Sequence, residues 1–192
     1  MTLACTSVVS DSLSADSENT GSPRKTSPYF PMSVGNRWHY SCSVEGEHVF
    51  DKTLTIIALE AHQGTEYFHG QLQVGDDPST LDLFYHADDL GDIFMTFDPA
   101  SADETLLVTA NPLPGDSIGK LHVAGEELVE TPATGEIKAM LIENFSLDNS
   151  QLQDEQRMEW EGKHYARDVG LVSEADGLGG SCVLRAFQLQ NP

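Results

Sequence analysis

Seven histidines, His39, His48, His62, His69, His86, His122 and His164, are the side chains in this sequence best suited to proton transfer or metal ligation. None belongs to a His-Glu-x-x-His, His-x-His or Cys-x-x-Cys arrangement, so a metal centre would have to gather ligands from distant parts of the chain. Histidines on exposed strand faces are the commoner case. Asp88, Asp89 and Asp92 around Gly91, with Asp76 and Asp77 just upstream, supply the hard oxygen ligands that calcium prefers. Their spacing is not that of an EF-hand, and acidic hairpin tips are ordinarily solvated turns. Gly115-Asp116-Ser117 has the look of an esterase nucleophile turn, but the rest of that machinery is missing from the sequence. There is no Gly-x-Ser-x-Gly elbow and no phosphate-cradling glycine loop. The sequence therefore names no catalytic residue, metal ligand or cofactor, and a non-enzymatic protein is the expectation. A metal-assisted hydrolase built from scattered His and Asp residues is the alternative, and a purely structural surface protein is a third.

What must position any site is set by composition and pattern. The chain has 192 residues, 39% of them hydrophobic, enough for one core, and a single domain after a leader is the economical division. With 31 acidic against 10 basic residues its formal charge is −21, which argues against nucleic acid or an anionic membrane surface as a partner held by charge. Acids spread over outer strand faces in a saline setting account for such a charge, and a cation-binding surface is the sharper alternative. No run of about 18 apolar residues is present to span a membrane as a helix.

The pattern along the chain is that of strands. Trp38, Tyr40, Cys42 and Val44 alternate with Arg37, His39, Ser41 and Ser43, the period of two of a half-buried strand. Gly35-Asn36 forms the turn ahead of it. Further strands are expected over 48–60, 65–74, 81–86, 92–97, 104–109, 120–130, 136–144, 169–174 and 182–189, with 151–160 open between helix and strand and favoured as strand. The proline- and glycine-bearing stretch 111–119 reads as a loop. About ten strands and no strong amphipathic helix predict an all-β fold, a curved antiparallel sheet forming a lipocalin-like barrel or half-barrel. Trp38, Tyr40, Tyr67, Phe84, Tyr85, Phe94 and Phe97 are candidates to line its concave face, as core or around an apolar ligand.

The three cysteines divide by position. Met1-Thr2-Leu3-Ala4-Cys5 matches the end of a bacterial lipoprotein signal, with small Ala4 directly before Cys5, although no positive or apolar region precedes it. Lipidation of Cys5 is the expectation, with residues 1–28, rich in Ser, Thr, Asp and Gly, serving as signal remnant and tether to a β domain over 29–192. An ordinary N-terminal tail is the plainer alternative. Cys42 and Cys182 then remain as an even pair in the first and last strands. A disulfide between them is expected if the sheet curls towards closure, against two buried free thiols. It would require an exported location.

The segments Tyr29-Phe30-Pro31-Met32-Ser33-Val34-Gly35-Asn36-Arg37-Trp38-His39-Tyr40 and Tyr165-Ala166-Arg167-Asp168-Val169-Gly170-Leu171-Val172 resemble the ends of the TapB-like family of exported bacterial lipoproteins of unknown function. Pro112-Leu113-Pro114-Gly115-Asp116-Ser117 and Val129-Glu130-Thr131-Pro132-Ala133-Thr134-Gly135 resemble two of its internal turns, the second with one extra residue. Arg167-Asp168 departs from the Pro-Gly that the family usually carries. The resemblance implies a curved antiparallel sheet related to lipocalin-like or half-barrel lipoprotein domains, and no assigned chemistry. Together these features lead to the expectation of an envelope lipoprotein, in the outer membrane or periplasm and attached only through its lipid. Its expected partner is an apolar small molecule or an envelope protein.

Overall fold

The computed structural model describes residues 27–101, 103–118, 121–144, 161–176 and 179–190. Among these the chain forms twelve strands: β1 Arg37–Val44, β2 Glu47–His62, β3 Thr65–Val74, β4 Thr80–Ala87, β5 Ile93–Thr96, β6 Thr105–Val108, β7 Ser117–Ile118, β8 Leu121–Thr131, β9 Gly135–Asn144, β10 Glu161–Ala166, β11 Gly170–Asp176 and β12 Gly180–Gln188. They make one antiparallel sheet in the order β6-β5-β4-β3-β2-β1-β12-β11-β10-β9-β8-β7. The first and last strands pair at its centre, each carrying a wing of hairpins. The wings curl towards each other until β6 and β7, the two free edges, meet side by side. The result is an all-β, nearly closed barrel, as the strand pattern predicts.

Tight hairpins follow from local chemistry. Glu45-Gly46 and Gln63-Gly64 both hold positive φ at their two central positions (52° and 85°, 51° and 91°), the geometry whose twist matches the flanking strands. Asp168 sits at φ 62°, so an aspartate adopts the left-handed conformation at the departure from Pro-Gly.

Alternation sorts the side chains. Trp38, Tyr40 and Cys42 of β1, Leu54 and Ile56 of β2, Leu83 and Tyr85 of β4, and Leu184 of β12 enter one continuous core. Gly70 of β3 belongs to this inner face, where a Cβ would stand 2.8 Å from the Tyr85 ring.

One end of the barrel is plugged. The segment from Ser27 to Asn36 crosses it, with the Ser27 hydroxyl donating to the Thr109 carbonyl (3.1 Å) and Asp168 N–H donating to the Pro28 carbonyl (2.7 Å). Phe30 drops inward, stacked on Trp38 at 5.7 Å and tilted against Tyr85 at 5.3 Å. The Trp38 indole N–H donates to the Val169 carbonyl (2.6 Å), and buried Asn36 bonds Pro31 on one side and Gln190 on the other.

Two strand assignments differ from expectation. β10 falls on Glu161–Ala166, a stretch too polar to read as strand, and β7 lies within the stretch expected as loop. Residues 151–160 lie outside the described residues.

Candidate functional site

At the end opposite the plug the described residues leave the barrel open. Its mouth is a cavity of about 390 Å³, walled by Cys42, Val44, Phe50, Val74, Ala175 and Cys182 among others. A second, smaller cavity of about 170 Å³ continues towards the plug between Phe30, Leu54, Leu72, Leu83, Met95 and Leu107. Lys52, Lys163 and Glu174 line both, forming a charged waist between two largely apolar chambers.

The waist follows from strand parity. Lys52 lies two residues before Leu54 on β2, and Lys163 two before Tyr165 on β10, so both occupy inward positions. Lys52 and Glu174 form an ion pair in which both side chains are mostly buried, and the Lys52 ammonium lies 5.0 Å from the centre of the Tyr40 ring. Burial, with the negative charge of Glu174 adding to it, raises the Tyr40, Tyr85 and Tyr165 phenols well above their ordinary range, so all three remain neutral. The Tyr40 hydroxyl donates to the Leu171 carbonyl (3.0 Å).

Cys42 and Cys182 stand directly opposite each other on β1 and β12 and are joined by a disulfide. The expected pairing is present, and the bridge links neighbouring strands at the rim of the cavity, because first and last strands are partners in the sheet.

The other titratable groups gather on the outer face. His69 bonds Glu60 (2.8 Å) and Asp82 (2.9 Å) and stacks on Phe84 at 4.6 Å. Glu104 accepts from the Tyr67 hydroxyl (2.8 Å) and bonds His86 (3.0 Å), which stacks on Phe94 at 5.1 Å. Hydrogen bonds from His69, then His62, lower the Glu60 carboxyl, and His69, then Gln71, lowers that of Asp82. Burial opposes the charged form of His69, yet its bonds to Asp82 and Glu60 raise it above its ordinary value of 6.5. Burial and the bond to Glu104 push the Tyr67 phenol up to about 12. Among the described residues no three His, Cys, Asp or Glu groups are placed to hold a metal ion.

Of the aromatic residues considered for the concave face, Trp38, Tyr40 and Tyr85 point inward. Tyr67, Phe84 and Phe94 lie on the outer face among the histidines, and Phe97 is 61% exposed. Asp88 and Asp92 use their carboxylates on backbone N–H groups, Asp88 on Leu90 and Asp92 (both 2.9 Å) and Asp92 on Ala110 (2.8 Å). The carboxylates shape this loop as an Asx turn. Ser117 is an exposed residue of β7, paired in register with His122. Cys5 lies outside the described residues. The waist residues Lys52, Lys163 and Glu174 were not singled out by sequence; the available signal was a charge at a position whose strand parity is apolar.

No family model matches the chain, so the TapB-like resemblance is not raised to membership. No curated protein matches it. Two solved structures share its architecture: a candidate exported protein with a YmcC-like fold from Bacteroides fragilis and a candidate lipoprotein from Parabacteroides distasonis. The first is 14% identical with a TM-score of 0.55, covering 83% of this chain and 98% of that one. The second is 12% identical with a TM-score of 0.54, covering 86% of this chain and 100% of that one. At these identities the likeness establishes the fold, an all-β barrel of YmcC-like type.

Proposed function

We propose that this chain is an exported, lipid-anchored, non-enzymatic domain of the bacterial cell envelope that holds a small apolar molecule in the open end of its barrel. The observation that carries the proposal is the cavity of about 390 Å³ at the unplugged end, a volume within the range of small-molecule sites, whose walls combine apolar side chains such as Phe50, Val44 and Val74 with the charges of Lys52, Lys163, Glu161 and Glu174. Export is supported by the Cys42–Cys182 disulfide, since such bridges persist in oxidising compartments. Attachment through Cys5 is supported by Ala4-Cys5, which matches the end of a lipoprotein signal, and by the polar segment after it. The fold shared with a candidate exported protein and a candidate lipoprotein agrees with that placement.

Native mass spectrometry of the purified chain tests the binding role. An adduct of lipid size that is lost on denaturation is the expected result. A bare mass that stays bare after incubation with a bacterial lipid extract would overturn it. Incorporation of labelled fatty acid into the protein in its native host, abolished by Cys5→Ala, is expected for the anchor, and its absence would remove the anchor from the proposal.

A further inference from the structure

The waist of the cavity contains more positive charge than its own structure uses. Lys52 is neutralised by Glu174, and Glu161 near the mouth has a partner of its own. Lys163 lines both chambers, is half-buried, and has no ion pair among the described residues. Withdrawing an ammonium from water is unfavourable unless an opposite charge or hydrogen-bond acceptors replace the solvent. In a chain with only 10 basic residues and a net charge of −21, a lysine is not needed inside the barrel for solubility. Its placement makes sense if the missing counter-charge comes with a ligand.

We propose that the ligand is a single-chain anionic amphiphile, an aliphatic carboxylate of the fatty-acid type, whose headgroup is bound by Lys163 at the waist. The assignment deepens the binding role proposed above and rests on it. A carboxylate at Lys163 leaves its chain apolar walls in either direction, Phe50 and Val74 towards the mouth and Leu54, Leu72 and Leu83 towards the plug. Lys52, beside Lys163 in both linings, adds positive potential, while Glu174 holds it in place. A dianionic or bulky headgroup would meet Glu161 and Glu174, so the site discriminates in favour of one negative charge.

Titration of the whole chain with palmitate and with hexadecanol, by displacement of a fluorescent fatty-acid probe, separates the claims. The acid is expected to bind about tenfold more tightly or better, the usual worth of a charge-assisted contact. Lys163→Met should bring the acid down to the level of the alcohol and leave alcohol binding unchanged, with Lys163→Arg restoring most of the preference. Equal binding of acid and alcohol by the unaltered chain would overturn the headgroup assignment while leaving the apolar cavity standing. Binding of neither would overturn both. The comparison within the unaltered chain does not depend on the folding of any variant.

Discussion

The two ends of the barrel are built from the same strands and do opposite things. At the plugged end Phe30, Trp38, Tyr85 and Tyr165 fill the interior with rings, and polar groups there are spent on hydrogen bonds across the plug. At the open end β2, β10 and β11 carry Phe50, Lys52, Lys163 and Glu174, which surround a cavity. The lesson is that a curled sheet needs one packed end to fix its curvature. Once Trp38 and Phe30 do that, the far end can hold charge and cavity, with the Cys42–Cys182 bridge tying β1 to β12 at the rim.

The contrast can be broken from either side. Trp38→Ala should cost most, about 4 kcal/mol, because it removes a fully buried ring and orphans the Val169 carbonyl. Chemical denaturation measures this, and a loss below about 1.5 kcal/mol would mean the plug does not organise the barrel. The double variant Cys42→Ala with Cys182→Ala frees a loop of sequence separation 140 and should cost about 3 kcal/mol, within the common range for disulfides. Lys52→Met leaves Glu174 without its partner and should cost about 2 kcal/mol, less than for a fully buried pair since both side chains keep some solvent access. Adding Glu174→Leu should recover most of that loss, which a merely packed lysine would not do.

The smallest effect concerns the outer face and pH. His69 has a raised pKa, so its contribution is complete below about 6.5 and fades as pH rises through the folded value. Glu60, Asp82 and Glu104 have lowered pKa values, so theirs is complete above the ordinary carboxylate range and fades as pH falls through the folded values. The melting temperature should therefore peak in mildly acidic solution, between the two ranges. His69→Gln should flatten its decline above neutrality. An unchanged profile in that variant would show that the histidine network on this face does not contribute.

Much of the fold was legible because most strands obey the rule of apolar inside and polar outside. Trp38, Tyr40 and Cys42 gave the inward parity of β1, and the pairing of Cys42 with Cys182 was expected from a closing sheet, whereas it comes from β1 and β12 being direct partners at the sheet's centre. β10 was not legible, because its inward residue Lys163 is a charge that lines the cavity, so Glu161-Gly162-Lys163-His164 lacks the alternation that marks a strand. The outer aromatic residues misled in the opposite sense. Tyr67, Phe84 and Phe94 look like core but pack on His62, His69 and His86, because rings stacked on hydrogen-bonded imidazoles are shielded on an outer face as well. The candidate site was thus invisible where its charges break the strand pattern, and only contact across β2, β10 and β11 brings those charges together.

Hydrogen exchange on the whole chain, with and without palmitate, tests the central claim most directly. Added protection is expected in peptides covering Phe50–Leu54, Lys163–Tyr165 and Glu174–Cys182, with none in Tyr29–Trp38, since the plugged end is already closed. Protection confined to the plugged end, or none anywhere, would contradict a barrel whose open end is a binding site.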